Sequence, residues 1–150
     1  MYDRILFPTD GTEGANAALD HAIDHAQRYD AELHVLYVVE ENWPVMEAGQ
    51  AQLLDALEEA GERAIDDARD RAKAEGVGSI RGTVAGGSPY RAILEYIDDH
   101  DIELVVMGTH GRRGIDRYLL GSVAEKVVRS ADCPVMTVRA AGDDEADAHQ

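Results

Sequence analysis

Residues 108–123 read Gly108-Thr109-His110-Gly111-Arg112-Arg113-Gly114-Ile115-Asp116-Arg117-Tyr118-Leu119-Leu120-Gly121-Ser122-Val123. An apolar run with strand character precedes this glycine stretch, and a helix-like run, residues 122–130, follows it. Glycines let a backbone approach a ligand closely. A helix N-terminus offers free N–H groups and the positive end of the helix dipole. The stretch therefore predicts an anion site between a parallel strand and a helix, and phosphate is the usual anion there.

Alternating strand and helix patterns surround this stretch. Short apolar runs predict strands at residues 5–7, 33–39, 80–85, 102–107 and 135–138. Helical spacing predicts helices at residues 12–29, at 47–75, from Pro89 onward and at 122–130. Their expected buried residues include Ala15, Ala18, Leu19, Ala22, Ile23, Ala26, Leu53, Leu54, Leu57, Ala64, Ile65, Ala68, Ala72, Ile93, Tyr96, Ile97, Val123, Val127 and Val128. This order predicts one α/β domain, residues 1–140, with a doubly wound, five-stranded parallel sheet and helices on both faces.

Composition limits the possible partners and compartments. The chain has 30 acidic and 14 basic residues, a net charge of −16, and such a surface repels nucleic acid and anionic membranes. We expect neither as a partner, and the acidic surface suggests a halophilic host. One cysteine, Cys133, excludes an internal disulfide framework, and no apolar run approaches the roughly 20 residues that span a bilayer. We expect a soluble, cytoplasmic protein with a disordered acidic tail at 141–150.

Two strand ends carry unusual residues. The first strand ends in Pro8-Thr9-Asp10-Gly11, and the fourth ends in Met107-Gly108. Ligands of open α/β sheets bind at the carboxyl ends of the strands. If these two strands are neighbours, a hydroxyl and a carboxylate face the predicted phosphate cradle.

The spacing Gly108-x2-Gly111-x9-Gly121-Ser122 is more specific than a lone glycine triplet. With it, and with Pro8-Thr9-Asp10 and Cys133-Pro134-Val135, the chain resembles the universal stress proteins over residues 2–139, in particular their nucleotide-binding branch. The resemblance implies a Rossmann-like sheet of order 3-2-1-4-5, in which the first and fourth strands are neighbours.

The resemblance also implies an adenine-nucleotide site. Residues at the strand ends would line the base and ribose: Pro8, Thr9, Asp10, Val38, Met107 and Gly108. Residues of the glycine stretch complete the site: Thr109, His110, Gly111, Arg112, Gly121, Ser122 and Val123. The last three would donate N–H groups to phosphate oxygens, and Ser122 would also donate its hydroxyl. ATP, or else ADP or AMP, is the expected ligand, with Mg²⁺ held mainly by phosphates and water and by at most one carboxylate, such as Asp10.

Other interpretations remain open. Asp10 could simply cap the first helix. A slow ATPase or phosphotransferase could use His110 or Asp10, but the chain has no Walker-type motif and no evident general base, which favours binding over catalysis. A dimeric stress adaptor could need no nucleotide. The last strand, Val135–Val138, is apolar and lies at the expected sheet edge, so it predicts a homodimer.

Overall fold

The computed structural model describes residues 1–40, 50–110 and 120–140. In this part of the chain strands and helices alternate in the order β1 (Arg4–Thr9), α1 (Glu13–Tyr29), β2 (Glu32–Val39), α2 (Gln50–Ala74), β3 (Ile80–Gly86), α3 (Pro89–Asp99), β4 (Leu104–Gly108), α4 (Ser122–Ser130) and β5 (Val135–Val138). The strands form one parallel sheet of order β3-β2-β1-β4-β5. The predicted fold and strand order are therefore confirmed. The predicted start of the second helix at residue 47 and the predicted tail at 141–150 lie outside the described residues.

The central strand β1 connects the two halves of the sheet. It pairs with β2 in the register Arg4–Glu32 to Thr9–Tyr37, and with β4 at Ile5–Leu104. Strands β2 and β3 lie on one side of β1, and β4 and β5 lie on the other. The strand order therefore reverses direction at β1, and the carboxyl ends of β1 and β4 form the switch point of the fold. In parallel sheets this is the place where a crevice opens for a ligand.

Side chains of the strands alternate between two cores, because successive residues of a strand point to opposite faces. Ile5 and Phe7 belong to the core beneath α1 and α2, whereas Leu6 belongs to the core beneath α3 and α4. Both faces of the sheet are thus covered, as the apolar runs predicted. No helix among the described residues combines the length and apolar character needed to cross a membrane.

The fourth strand starts two residues later than predicted. Asp101 adopts a left-handed conformation with φ 52°, and the Ile102 N–H donates to the Ile97 carbonyl, so this segment terminates α3. Ile102 is nevertheless buried. The apolar run is continuous in sequence, but its first residue serves the end of a helix.

Helix α2 lies close to the sheet at two glycines. A Cβ at Gly61 would lie 2.6 Å from the Tyr37 ring, and one at Gly82 would lie 2.3 Å from Ile65 Cγ2. Gly61, which the sequence marks as a local weakness of the helix, therefore also permits its close approach to β2. Ile65 is buried as predicted, whereas the prediction for Leu53 is wrong, because it is 43% exposed.

Helix α4 presents a different face from the one predicted. Val127 is buried, but Val128 is 45% exposed and Ala124 is buried in its place. Val127 and Val128 are about 100° apart around a helix of 3.6 residues per turn, so one short helix cannot centre both on the sheet. Val123 is half-buried.

Candidate functional site

The carboxyl end of β1 forms one wall of the candidate site. Pro8 is buried, while Thr9 and Asp10 are half-buried. The Thr12 N–H and hydroxyl both donate to Asp10 Oδ1, at 3.0 Å and 2.6 Å. Thr12 Oγ1 in turn accepts the Ala15 N–H at 3.4 Å and is the N-cap of α1. Asp10 therefore orients the capping residue and does not itself cap the helix.

The carboxyl end of β4 reaches this wall through a backbone contact. A Cβ at Gly108 would lie 3.1 Å from the Gly14 carbonyl oxygen, and a Cβ at Gly14 would lie 3.3 Å from the His110 carbonyl oxygen. The first turn of α1 and the start of the glycine stretch are thus in close contact, and a larger residue at either glycine would require the neighbouring backbone to shift. The two predicted strand ends do face each other across one edge of the sheet.

The base of the glycine stretch is closed by backbone hydrogen bonds. The Thr109 N–H donates to the Val138 carbonyl at 3.1 Å, and the Gly121 N–H donates to the Thr109 carbonyl at 2.8 Å. Thr109 is only 7% exposed. The start of α4 is therefore fixed directly beside the ends of β4 and β5. The prediction that the Gly121 N–H donates to phosphate is wrong for this structure, because the Thr109 carbonyl already accepts it.

The N-terminus of α4 presents backbone donors toward this edge. Gly121 is the N-cap and no side chain caps the helix within the described part of the chain. The first helical bond runs from the Glu125 N–H to the Gly121 carbonyl at 2.9 Å. By helix geometry, the N–H groups of Ser122, Val123 and Ala124 lie before it and have no acceptor inside the helix. Ser122 is exposed and is the first residue of the helix, one position after the N-cap.

His110 lies between the two walls. It is half-buried, and its Nδ1 lies 3.1 Å from Thr109 Oγ1. Its Nε2 is buried and has no hydrogen-bond partner among the described residues. Buried polar atoms are rarely left unpaired, so this nitrogen is an unusual feature of the candidate site.

The other predicted site positions are Val38, Met107, Gly111 and Arg112. Val38 is the penultimate residue of β2, and its side chain packs against the core beneath α3 and α4. Met107 is 6% exposed and belongs to the same core. Only the backbone of Val38 can therefore face a ligand at the sheet edge. Gly111 and Arg112 lie outside the described residues.

The chain is similar to known proteins in both sequence and fold. Residues 1–139 match the sequence model of the universal stress protein family. The chain belongs to this family. A universal stress protein of Methanocaldococcus jannaschii is 37% identical over 93% of this chain and 83% of its own length. The structure of UspA from Lactobacillus plantarum is 30% identical, with a TM-score of 0.86 over 92% of this chain and 98% of that one. A universal stress protein solved in complex with cAMP is 28% identical, with a TM-score of 0.75 over 93% of this chain and 99% of that one.

Two site residues of this universal stress protein were not predicted. Gly14 makes the backbone contact to β4, and Ala124 contributes the third N–H group of α4. Gly14 could have been found from the second glycine in Asp10-Gly11-Thr12-Glu13-Gly14, since a glycine in the first turn of a helix is otherwise unfavourable. Ala124 could have been found only with the helix start known to the residue.

A cleft of about 630 Å³ lies between α1 and α2, on the face of the sheet opposite the one that α3 and α4 cover. Its lining includes Thr9 and Asp10 together with Asn16 of α1 and Arg63 of α2. The end of β1 therefore stands between this cleft and the N-terminus of α4.

Metal ligands do not cluster in the part of the chain described by the structure. No group of three or more His, Cys, Asp or Glu side chains there could hold a metal ion. His25 Nδ1 lies 2.9 Å from the His21 carbonyl oxygen, a contact within α1.

Proposed function

We propose that this universal stress protein binds an adenine nucleotide and acts as a nucleotide-dependent regulatory protein. Three backbone N–H groups carry the proposal, those of Ser122, Val123 and Ala124. They lie at the positive end of the α4 dipole, have no helical acceptor and follow Gly121, which is bonded to Thr109 at the end of β4. Such a terminus binds phosphate without further specialisation.

Charge and shape support a nucleotide over a simple anion. Residues 108–121 contain three arginines and one aspartate in a chain of net charge −16, so they are locally attractive to phosphates. Thr9 and Asp10 supply polar groups opposite the N-terminus of α4, where a ribose would lie between the two walls. The relative in complex with cAMP supports an adenine compound as the ligand class.

Among adenine nucleotides we favour ATP with Mg²⁺. A triphosphate offers the most contacts to the N–H groups of α4 and to the arginines of the glycine stretch. Mg²⁺ would be held by phosphate oxygens and water, with at most one carboxylate, such as Asp10, joining them. Because the glycine stretch contains no lysine and no Walker motif, we expect slow turnover at most.

Purification without added nucleotide tests the proposal directly. Heat-released small molecules are identified by mass, and the emptied protein is titrated calorimetrically with ATP, ADP, AMP and cAMP. We expect a bound adenine nucleotide and an exothermic signal that strengthens with Mg²⁺. Protein that carries no nucleotide and gives no signal with any of the four contradicts the proposal.

Gly121→Val should weaken nucleotide affinity by about 100-fold or more. The N-cap backbone has φ −63° and ψ 158°, which valine tolerates, but the branched side chain would stand before the donors of α4. Hydrogen bonds to a charged group contribute about 1.5–3 kcal/mol each, so the loss of one or two accounts for the change. Calorimetry measures the affinity and a thermal melt checks the fold.

Gly78→Val is the matched control for that variant. A Cβ at Gly78 meets no atom within 4 Å, and the residue lies between α2 and β3, at the opposite edge of the sheet. The control should bind nucleotide as the unmodified protein does. Equal affinity in both variants would show that α4 is not the phosphate cradle.

The homodimer is a second part of the proposal. Strand β5 pairs with β4 on one side, and all four of its residues are half-buried in the single chain. Val128 of α4, which packs beside β5, is 45% exposed. A second copy placed along β5 would cover an apolar edge that otherwise invites uncontrolled pairing. Sedimentation equilibrium in molar KCl should give twice the mass of the chain, and a monomer mass would refute the dimer.

A further inference from the structure

A buried group of three rings joins α3 to the sheet, at the edge opposite the candidate site. His34 of β2 is 1% exposed. Its Nδ1 lies 2.6 Å from the Tyr96 hydroxyl of α3, and its ring centroid lies 5.7 Å from that of His100. The Tyr96 and His100 rings are stacked, with centroids 3.8 Å apart and planes inclined by 15°. We call His34, Tyr96 and His100 the ring cluster.

Charged groups approach the cluster from β2 and β3. Glu32 Oε1 lies 2.6 Å from His34 Nε2, off the direction of the ring N–H, and Glu32 Oε2 accepts a hydrogen bond from Ser79 at 2.8 Å. Arg81 of β3 is paired with His34 in the sheet register. The Glu32 carboxylate therefore favours the charged form of His34, whereas Arg81 and His100 disfavour that form.

The neutral form of His34 fits this environment. With the proton on Nε2, Nδ1 can accept the Tyr96 O–H, while Nε2 lies close to the Glu32 carboxylate without a directed hydrogen bond. Burial lowers the pKa of His34 below its ordinary value of 6.5, against the opposing effect of Glu32. A proton on Nδ1 would face the hydroxyl hydrogen, so the Tyr96 hydroxyl would have to turn.

We infer that the ring cluster is an acid-sensitive latch, which holds α3 on the sheet while the His34 imidazole is neutral and releases it when that ring takes up a proton. A charged His34 would lie beside Arg81, with its ring centroid 5.7 Å from that of His100, and would have almost no contact with water. Like charges and desolvation each disfavour the charged forms. Movement of α3 away from β2 relieves both.

Release of α3 from the sheet would also affect the N-terminal end of this helix. Tyr90, in the first turn of α3, lies beneath the ammonium group of Lys126 on α4, with Nζ 4.5 Å from the ring centroid. Tyr90 and Val123 also pack against the same core. The two helices therefore form one contiguous layer that connects the latch to the N-terminus of α4.

The sign of the pH dependence follows from the direction of the pKa shift. Since the folded protein lowers the pKa of His34, the open form binds more protons below pH 6.5, and opening becomes more favourable as the pH falls through that value. Each proton taken up can raise the opening constant by up to about tenfold per pH unit.

Hydrogen exchange of nucleotide-free protein between pH 7.5 and pH 5, in molar KCl, tests the latch. After correction for intrinsic exchange rates, amides of α3 should open at least tenfold more at the acid end, while amides of α1 change little. An NMR titration of the imidazole nitrogens should give His34 a pKa below 6.5. A value at or above 6.5, or α3 exchange that follows α1 at every pH, would overturn the latch.

Three variants assign the effect to the cluster. His34→Leu removes the buried proton site and should flatten the pH dependence of α3. His100→Phe keeps a stacked ring on Tyr96 but removes an imidazole that opposes a charged His34, so it should weaken that dependence. His21→Gln, on the exposed side of α1, is the matched control and should retain it. If His34→Leu does not fold, His100→Phe and the titration of the unmodified protein still decide the outcome. Because no nucleotide is present, failure of the latch is separate from failure of the proposed function.

Discussion

Asp10 has a structural role in the fold and a second role in the proposed nucleotide site. One of its oxygens accepts two hydrogen bonds from Thr12, which is itself the N-cap of α1. The same residue directly follows β1, at the switch point of the sheet. The two roles can be tested separately, because an asparagine amide can accept the same hydrogen bonds but lacks the negative charge that would act on a cation.

Asp10→Asn should therefore reduce affinity for Mg²⁺–ATP by about tenfold, or about 1.4 kcal/mol, with little change in stability. The amide oxygen can still accept from the Thr12 N–H and hydroxyl, so α1 keeps its start. Calorimetry with and without Mg²⁺ measures the affinity, and the loss should be smaller without the metal. An equal loss in both conditions would show that Asp10 does not act through the cation.

Thr12→Val is the complementary variant. It removes the capping oxygen, and loss of a side-chain N-cap lowers the free energy of unfolding by about 1 kcal/mol. Nucleotide affinity should stay within about twofold, because Thr12 acts on the helix and not on the ligand. Denaturant unfolding checks the first expectation. If Thr12→Val lost as much affinity as Asp10→Asn, the carboxylate would matter only through the helix start.

At the residue scale, the sequence could predict which residues lie at the strand ends and helix starts, but not which hydrogen bonds and cap positions each of them takes. Asp10 and Thr12 both suit a helix start, and only the coordinates show that one orients the other. Ser122 looks like an N-cap from its residue type, yet Gly121 takes that position because its N–H is bound to the Thr109 carbonyl. Such choices depend on contacts between segments that local propensity does not contain.

At the scale of one element, Gly61 decides how α2 sits on β2. In an isolated helix, alanine is favoured over glycine by about 1 kcal/mol, but a Cβ here would lie 2.6 Å from the ring of Tyr37, which is 3% exposed. Overpacking of a core costs about 1–3 kcal/mol, so Gly61→Ala should be destabilising on balance. Urea unfolding measures the change.

A double-mutant cycle makes this test decisive. In a Tyr37→Leu background the ring is absent, and Gly61→Ala should then stabilise the protein by up to about 1 kcal/mol through helix propensity. The sign of the effect of alanine should reverse between the two backgrounds. The same sign in both would mean that the ring does not set the distance between helix and strand.

Elements with strong periodicity were the most predictable. The apolar face of α1 and that of α3 were both predicted from sequence and are buried, including Ile93 and Tyr96. Helix α4 was not, because its consecutive valines leave the facing direction open, and packing against α3 buries Ala124 in preference to Val128. The apolar run 102–107 was also difficult to divide from sequence, because packing assigns its first residue to the end of α3 and its later residues to β4.

At the scale of the whole molecule, the sequence order of strands and helices predicted a doubly wound sheet, but the neighbours of β1 came from the family resemblance. Many strand orders satisfy the right-handed crossover rule. The order with β1 beside β4 brings Gly14 within reach of Gly108, so the two motif-bearing strand ends meet. The candidate site is thus a consequence of topology, which composition and periodicity alone did not specify.

Net charge gives a prediction about the folded state as a whole. With 30 acidic and 14 basic residues, repulsion between surface carboxylates opposes the compact state, and it acts over about 10 Å at 0.1 M salt but only about 3 Å at 1 M. The melting temperature should therefore rise steeply from millimolar to molar KCl, and the protein should lose structure on dialysis into low salt. Circular dichroism melts across the KCl series measure this dependence.

A charge-neutralised variant distinguishes repulsion from other effects of salt. Glu58, Glu59 and Glu62 are exposed on α2, and replacing all three by Gln lowers the net negative charge without touching either core. The variant should melt higher than the unmodified protein at low salt and converge with it in molar KCl, where screening already removes the repulsion. Potassium chloride is preferred over sulfate, because sulfate also strengthens apolar burial. A melting temperature that does not respond to KCl, or that responds equally in both proteins, would remove charge repulsion as the reason for an acidic surface.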